Sequence, residues 1–596
     1  MNKGIFSFLL FSFTVFSAQQ KPVQIAFLSD VHFQDLYGSF SDTDFKGITN
    51  PKTGKATILR TMDSQLHSTR IFNENYFAFL KALDDIAAKG IKIVAMPGDF
   101  SDEGQAYNLR GLHKILDRYH TKYGISFYLT TGNHDPVGPF RQDAGKDDFL
   151  GQDGNPLGIY SRENIGKTRN KIMTRDIAES GYPEILEELK DFGFYPQKEN
   201  LFWSTPFDTG SVSDYSYEHA VQQADCSKRM YEVSPGFFVP DLSYVVEPVK
   251  GIWMIAIDGN TYIPKSTQED PWNPSNYKGA SIGYNNVLTH KKHLIAWVKK
   301  LTAAAKSNGK TVIAFTHYPM IDYNDGATAE IKKLLGDKKW QSERIPEETV
   351  AQAFAEAGLQ VHFAGHMHIN DTGIRKSGDK MLVNIQVPSL AAYLPAYKIL
   401  TIHSPEKMEV QTEVLNEVPD FNALFPLYKK EYEALQKDKN KVLWNKDILQ
   451  SESYHDFMLF HLRELVRLRM IPDDWPADFV AKAEKLNGED MLLLIQDKNQ
   501  LKRKGINAEA FKKWDFEDVL LDVYKFQSAD ELAKKDIPEE RLKQYQVLEK
   551  IYHNNRSKDP FMIQLKLVFR ILSLLSDADP ADHFEINLRK QEIKRL

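Results

Sequence analysis

Residues 23–32 read VQIAFLSDVH, a mostly apolar run that ends in an acid, with a histidine two residues further on. A short apolar run of this kind reads as a buried strand, and the polar pair at its carboxyl end marks where a loop leaves the sheet. The arrangement recurs along the chain. Residues 91–96 lead into Pro97-Gly98-Asp99, and residues 125–131 lead into Gly132-Asn133-His134-Asp135. Residues 311–316 lead into His317, and residues 360–364 lead into Gly365-His366-x-His368. These strands deliver their polar residues at one edge, where open α/β sheets hold ligands because the loops of several strands converge there.

Working outward, residues 105–120 have helical spacing and join the runs at 91–96 and 125–131, which makes a strand–helix–strand crossover in a parallel sheet. Phe72, Tyr76, Phe79, Leu80, Leu83 and Ile86 form a stripe at helical period over 72–89 that packs on that sheet. A further strand is predicted over 252–258, with helices over 290–306 and 347–357. The fold class is α/β.

Asp, Asn and neutral imidazole are donors that borderline divalent metals accept, and two such metals held close together clamp the attacking and leaving oxygens of a phosphoryl group. In extended chain, residues two apart point to the same side, so Asp30-x-His32 and His366-x-His368 each present both side chains together. Taken singly, any one of these histidines reads as a packing residue; the ordered set does not. His455 and His461, on a helical stretch, fit no ligand spacing and read as packing or surface residues.

The ordered motifs resemble the calcineurin-like metallophosphoesterase superfamily over about residues 23–403. That resemblance implies a layered α/β/β/α sandwich, whose second sheet is completed by strands over 381–386 and 396–403. It implies one divalent metal on Asp30, His32, Asp99 and His368, and a second on Asp99, Asn133, His317 and His366, with Asp99 bridging. It also implies a bridging water as nucleophile, its pKa lowered from about 15.7 toward about 7. In the family, the histidine at the position of His134 faces the substrate as general acid, a role worth about 100- to 10,000-fold in rate. Asp102 stands where a carboxylate orients this histidine in the protein phosphatase branch; its other reading is a solvated loop acid. The purple acid phosphatase branch has tyrosine at that position, which argues against it here.

The remaining sequence sets bounds. With 75 basic and 81 acidic residues the formal net charge is −6, which lacks the basic excess of a dedicated nucleic-acid binder. Lys3, the apolar run over 5–16 and the small residues Ser17 and Ala18 read as a signal peptide over 1–18, too short to span a bilayer. No later run is long enough to span either, and the lone Cys226 has no disulfide partner. A secreted or periplasmic location follows.

The expected organisation is a metallophosphoesterase domain over 19–403 and a mainly helical C-terminal region over 404–596, with helices over 421–437, 453–470 and 560–576. Two insertions leave the catalytic edge, at 33–70 and about 136–250. The second holds Phe202, Trp203, Tyr215, Tyr217, Phe237, Phe238 and Tyr244, for which a small core of their own is the leading expectation and a cap over the ligand motifs the other. Arg60 and Arg70 in the first, and Asn73 just after it, are expected at the surface, with contact to phosphate oxygens as the alternative. The expected function is binuclear-metal phosphoester hydrolysis with Mn, Fe, Zn, Co or Ni, acting on a small-molecule or lipid-headgroup phosphoester. A phosphodiesterase ranks first, because a diester's leaving alkoxide gains from a proton donor. A phosphomonoesterase, nucleotidases included, is the alternative, and a non-catalytic exported binding protein stiffened by metals is the reading from another class, which the non-ligand His134 opposes.

Overall fold

Two seven-stranded sheets face each other across the first hydrophobic core. The computed structural model describes residues 22–596 apart from Lys167, Arg169, Asp379, Asn440 and Lys441, so the expected signal peptide at 1–18 lies outside the described residues. In the first sheet Val23–Phe27 is central. It pairs in parallel with Ile93–Pro97, which pairs in parallel with Ser126–Thr130, while Ala396–Ser404 runs antiparallel on its other side. In the second sheet Ile252–Ile257, Thr311–Thr316, Val361–Ala364 and Lys380–Gln386 run in parallel, each beside the next. These strands read as near-continuous apolar runs because both of their faces are covered.

The inner faces meet at Phe27, whose ring stacks on Phe363 and packs edge-on to Phe315. Helices Asn75–Ala88 and Ala106–Tyr123 belong to the core around the first sheet, and Lys292–Ser307 and Glu348–Glu356 cover the outside of the second through Leu294, Trp297, Val350 and Phe354. The result is the α/β/β/α sandwich that the resemblance implies, except that Ala396–Ser404, expected in the second sheet, joins the first beside Val23–Phe27; the carboxyl ends of the parallel strands of both sheets meet at one rim.

The segment over 136–250 does not form one separate lobe. It makes a small sheet from Gly145–Leu150, Pro156–Tyr160 and Lys171–Met173, then hands Phe202–Ser204 and Tyr244–Val249 to the edge of the second sheet. Past residue 404 the chain is mainly helical, but Lys407–Val414 extends the first sheet, and His583–Asn587 and Glu592–Arg595 return from the far end of the chain to widen it. Between these strands, helices Tyr454–Leu465, Phe516–Ala529, Glu539–His553 and Pro560–Ser576 share a core that also takes in Ile331, Leu334, Trp340 and Tyr393. The backbone N–H of Asn370 donates to Ser528 O at 2.8 Å, and buried Lys398 donates to Asn370, Thr412 and Ala581 O, so the helices are bolted to the sandwich by polar contacts as well.

Candidate metal centre

The loops that leave the strands carry their side chains on strained backbone. Asp30, His32, Asp99, His366 and His368 have φ of 49°, 44°, 47°, 74° and 58°, the left-handed region that L-residues avoid. Each such residue costs on the order of 1–3 kcal/mol, and strain gathered at one place is a mark of a working site. Two glycines allow the close packing. A Cβ on Gly98, itself at φ 79°, would lie 2.7 Å from His317 Nδ1, and one on Gly132 would lie 2.2 Å from Asp99 Oδ1. Only glycine permits the ligand-bearing loops to approach so nearly.

The sequence-derived donors converge. Ligand atoms of Asp30, His32 and His368 all lie within 4.8 Å of one another, and so do those of Asp30, Asp99 and His317. His32 Nε2 is 3.0 Å from His368 Nε2, which is 3.4 Å from Asp30 Oδ1. His317 Nε2 is 3.2 Å from Asp99 Oδ2, 3.2 Å from Asn133 Oδ1 and 3.1 Å from His366 Nδ1. Asp99 Oδ2 also lies 3.8 Å from His32 Nε2, so Asp99 touches both groups, as does Asp30.

The other ring nitrogens point outward to backbone carbonyls. His317 Nδ1 meets Pro97 O at 3.1 Å, His366 Nε2 meets Ser281 O at 2.9 Å, and His368 Nδ1 meets Thr69 O at 3.4 Å. A ring that donates one N–H to a carbonyl presents a bare lone pair from its other nitrogen, which is how metal-binding imidazoles are held. His32 Nδ1 is buried without a hydrogen-bond partner among the described residues. Facing nitrogens at about 3 Å, with two carboxylates and an amide oxygen between them, form a donor set that borderline divalent cations fit.

Electrostatics agree with that set. Burial and the nearby Arg70 charge hold His32 well below its ordinary range, and burial together with Arg344 does the same for His366, so both rings are neutral. Burial opposes charge on His317, but Asp99 outweighs it and pushes the ring up to about 9. Burial likewise works against the Asp99 carboxylate, yet His317 and His134 hold it well below the usual range.

His134 sits beside the donors without joining them. Its backbone N–H donates to Asp99 Oδ1 at 2.8 Å, its ring packs edge-on to His32, and burial and Arg70 lower it to about 4. The carboxylate nearest its Nδ1 is Glu103 Oε1, at 3.8 Å. Asp102 has no hydrogen bond or ion pair to His134; its oxygens take Arg60 at 3.2 Å and Arg70 at 2.8 Å. The geometry therefore does not bring together the expected Asp102–His134 pair. Arg60, Arg70 and Asn73 depart from their expected surface placement and are buried, because two arginines converge on one buried acid and Asn73 binds the backbone of Arg60.

Asp135 had no role in the motif reading. It accepts from Ser101 N at 2.9 Å and Gly132 N at 3.1 Å, tying the second and third ligand loops together. Its place within Gly132-Asn133-His134-Asp135 was the available signal. Ser281 and Thr69 act through carbonyls and left none.

A cavity of about 270 Å³ opens over the donors. The aromatic residues of the second insertion do not line it; Phe202, Trp203 and Tyr244 are buried in the sandwich cores on strands that join the second sheet, and Phe237 is buried in the first core from a separate two-stranded sheet. His461 does line it, and its Nε2 meets Gln65 O at 2.9 Å.

Residues 23–219 match the family described as Calcineurin-like phosphoesterase. The match holds the first three motifs, while His317, His366 and His368 lie beyond it and reach the site through the fold. Over that segment, about a third of its length, the chain is similar to the calcineurin-like phosphoesterases. Among solved structures it is similar to a dimetal phosphatase from Danio rerio, at 9% identity over 65% of this chain and 95% of that one, with a TM-score of 0.33. It is also similar to a purple acid phosphatase from yellow lupin (Lupinus luteus) seeds, at 9% identity over 66% and 52% of the two chains, with a TM-score of 0.30. No curated protein sequence matches the chain. Among the described residues no helix is long and apolar enough to cross a membrane.

Proposed function

We propose that the chain hydrolyses phosphodiesters at a two-metal centre in which Asp30, His32, Asp99 and His368 hold one ion and Asp99, Asn133, His317 and His366 the other. The observation that carries this reading is the inward convergence of imidazole nitrogens from separate loops, three of them turned there by a carbonyl behind the ring. When bound, two divalent ions supply Lewis acidity to water and to the phosphoryl oxygens. The metal is one of Mn, Fe, Zn, Co and Ni, all compatible with nitrogen and carboxylate donors.

The chain's own residues supply the rest. His134 takes the role of proton donor to the leaving oxygen, which suits a diester because its alkoxide leaves poorly without a proton. The Arg70 charge that holds His134 low in the free pocket is offset when a phosphate anion arrives beside it, since an opposite charge favours the protonated ring. Arg60 and Asp102 fix Arg70 at the wall of the pocket. Asp102 is thus a positioning residue, acting through Arg70 where the motif reading had it acting on His134. Phosphomonoesters are the second substrate class. Export to a secreted or periplasmic location, and the domain boundaries at 19, 403 and 404, belong to the same proposal.

The test is His134→Ala. Its kcat on a generic phosphodiester is expected to fall about 100-fold or more while elemental analysis still finds two metal equivalents per chain. Full activity in that variant would remove His134 from the mechanism, and no hydrolysis by the unmodified protein with any of the five metals would remove the reading itself.

A further inference from the structure

The cavity above the donors has two walls. One is the rim of the sandwich. The other is made by the C-terminal helices, through Leu462, Leu465, Arg469 and Met470 on one and Tyr524 and Gln527 on another. Helix Tyr454–Leu465 does not continue regularly. It opens into a π-helical turn over Val466–Met470, directly before Pro472, which lacks the N–H that an α-helical ladder needs and clashes with the carbonyl four residues earlier. Wide turns of this kind recur at functional sites. Here the turn sets Leu465, Arg469 and Met470 all on the pocket.

The charges of the lining are unbalanced. Asp99 is the sole carboxylate among the described residues that line the cavity, against Arg70, Arg344 and Arg469. Arg70 is paired with Asp102. Arg469 reaches His67 O at 3.3 Å and Asp473 at 3.7 Å, so it is only loosely neutralised. Arg344, on the turn Ser342–Arg344, has no hydrogen-bond or ion-pair partner for its guanidinium among the described residues. The same lining carries an apolar share, from Met367, Ile369, Leu462, Leu465 and Met470. One reacting phosphate, with two divalent ions and Arg70 around it, does not account for two further cations in the same lining.

We propose that Arg344 and Arg469 bind a second anionic group on the substrate, and that the substrate class is a compact phosphoester with its phosphate at the donors, a short carbon skeleton against the apolar lining and a carboxylate or further phosphate at the arginines. The proposal rests on the hydrolase reading above. It makes the C-terminal helices part of the substrate pocket, and it selects small substrates, because a cavity of about 270 Å³ is small for a ligand site.

The experiment uses the full chain reconstituted with metal. Hydrolysis of phenyl phosphate and 4-carboxyphenyl phosphate, and of their methyl diesters, is compared as kcat/KM ratios. Binding of phenylphosphonate and 4-carboxyphenylphosphonate, which are not hydrolysed, is compared by calorimetry. The carboxylated member of each pair is expected to be favoured roughly 10- to 100-fold, the range of a charge-assisted hydrogen bond. In Arg344→Gln and in Arg469→Gln that preference is expected to fall roughly tenfold. Equal ratios in the unmodified protein, or an unchanged preference in both variants, would overturn the anion site. Failure to hydrolyse any ester would sink the hydrolase reading instead, and the phosphonate affinities would still decide the role of the two arginines.

Discussion

Two clusters of buried carboxylates sit just past strand ends, and they resolve the same problem differently. Asp241 and Asp258 are fully buried around Lys291, whose Nζ lies 3.3 and 3.6 Å from them. Their remaining oxygen sites accept from Ser243, His293, Asn260, Leu242 and Tyr182. That cluster carries its own cation and no carboxylate oxygen in it is left over. Asp30 and Asp99 are buried as deeply, but the side chains around them are mainly imidazoles and an amide, and His32 Nδ1 and His134 Nδ1 have no hydrogen-bond partner among the described residues. A closed cluster holds the fold; an open one is a donor set that divalent cations fit. Burial alone does not separate them, since what differs is whether the countercharge is encoded in the chain.

The comparison breaks most visibly at Lys291. Lys291→Met leaves two carboxylates buried without their cation, a change expected to cost about 3–5 kcal/mol. The expected result is a large drop in the denaturation midpoint, with metal content per folded chain unchanged. A variant as stable as the parent would show that the pair does not need its lysine. The next largest effect is at the open cluster. A ligand present at 100 times its Kd stabilises a folded chain by about 2.7 kcal/mol, so added Mn or Zn should raise the melting temperature of the parent protein. Asp99→Asn, which alters the carboxylate common to both ions, should lose most of that rise and bind at most one equivalent by elemental analysis. Two retained equivalents would disprove the shared role.

Much of the open cluster was legible in sequence because its donors are side chains at the ends of strands, each announced by an apolar run. Asp30, Asp99, His317 and His366 needed no more than that. The features that orient the rings were not legible, since Pro97, Thr69 and Ser281 act through carbonyls that every residue possesses. Arg60 and Arg70 read as surface residues because arginine usually is one; what buries them is Asp102, 42 and 32 residues away in sequence, together with Asp148. The roof of the pocket was hidden for a related reason. Residues 453–470 read as one amphipathic helix, and the period says which face is apolar but not which neighbour it meets. Pro472 was visible and would have placed the break in the helix.

A third buried acid sharpens the comparison further, with the smallest expected effect. Glu74 is fully buried with neither a lysine nor converging imidazoles around it among the described residues; Oε1 accepts from Tyr428 at 2.7 Å and Oε2 has no hydrogen-bond partner among them. Burial pushes its carboxyl up to about 7, so this acid meets the cost of burial by keeping its proton. Between about pH 4.5 and 7 the native chain holds that proton while the unfolded chain has released it. Its contribution to stability is therefore complete at pH below about 4.5 and declines as pH rises through 7. Glu74→Gln imitates the protonated form at every pH. The stability of the parent relative to this variant should thus fall by roughly 1–3 kcal/mol across that interval, measured by denaturant titration at several pH values. A difference that stays flat, or that grows with pH, would mean that Glu74 is ionised in the fold and that some cation, as at Lys291 or at the metal centre, has been supplied to it.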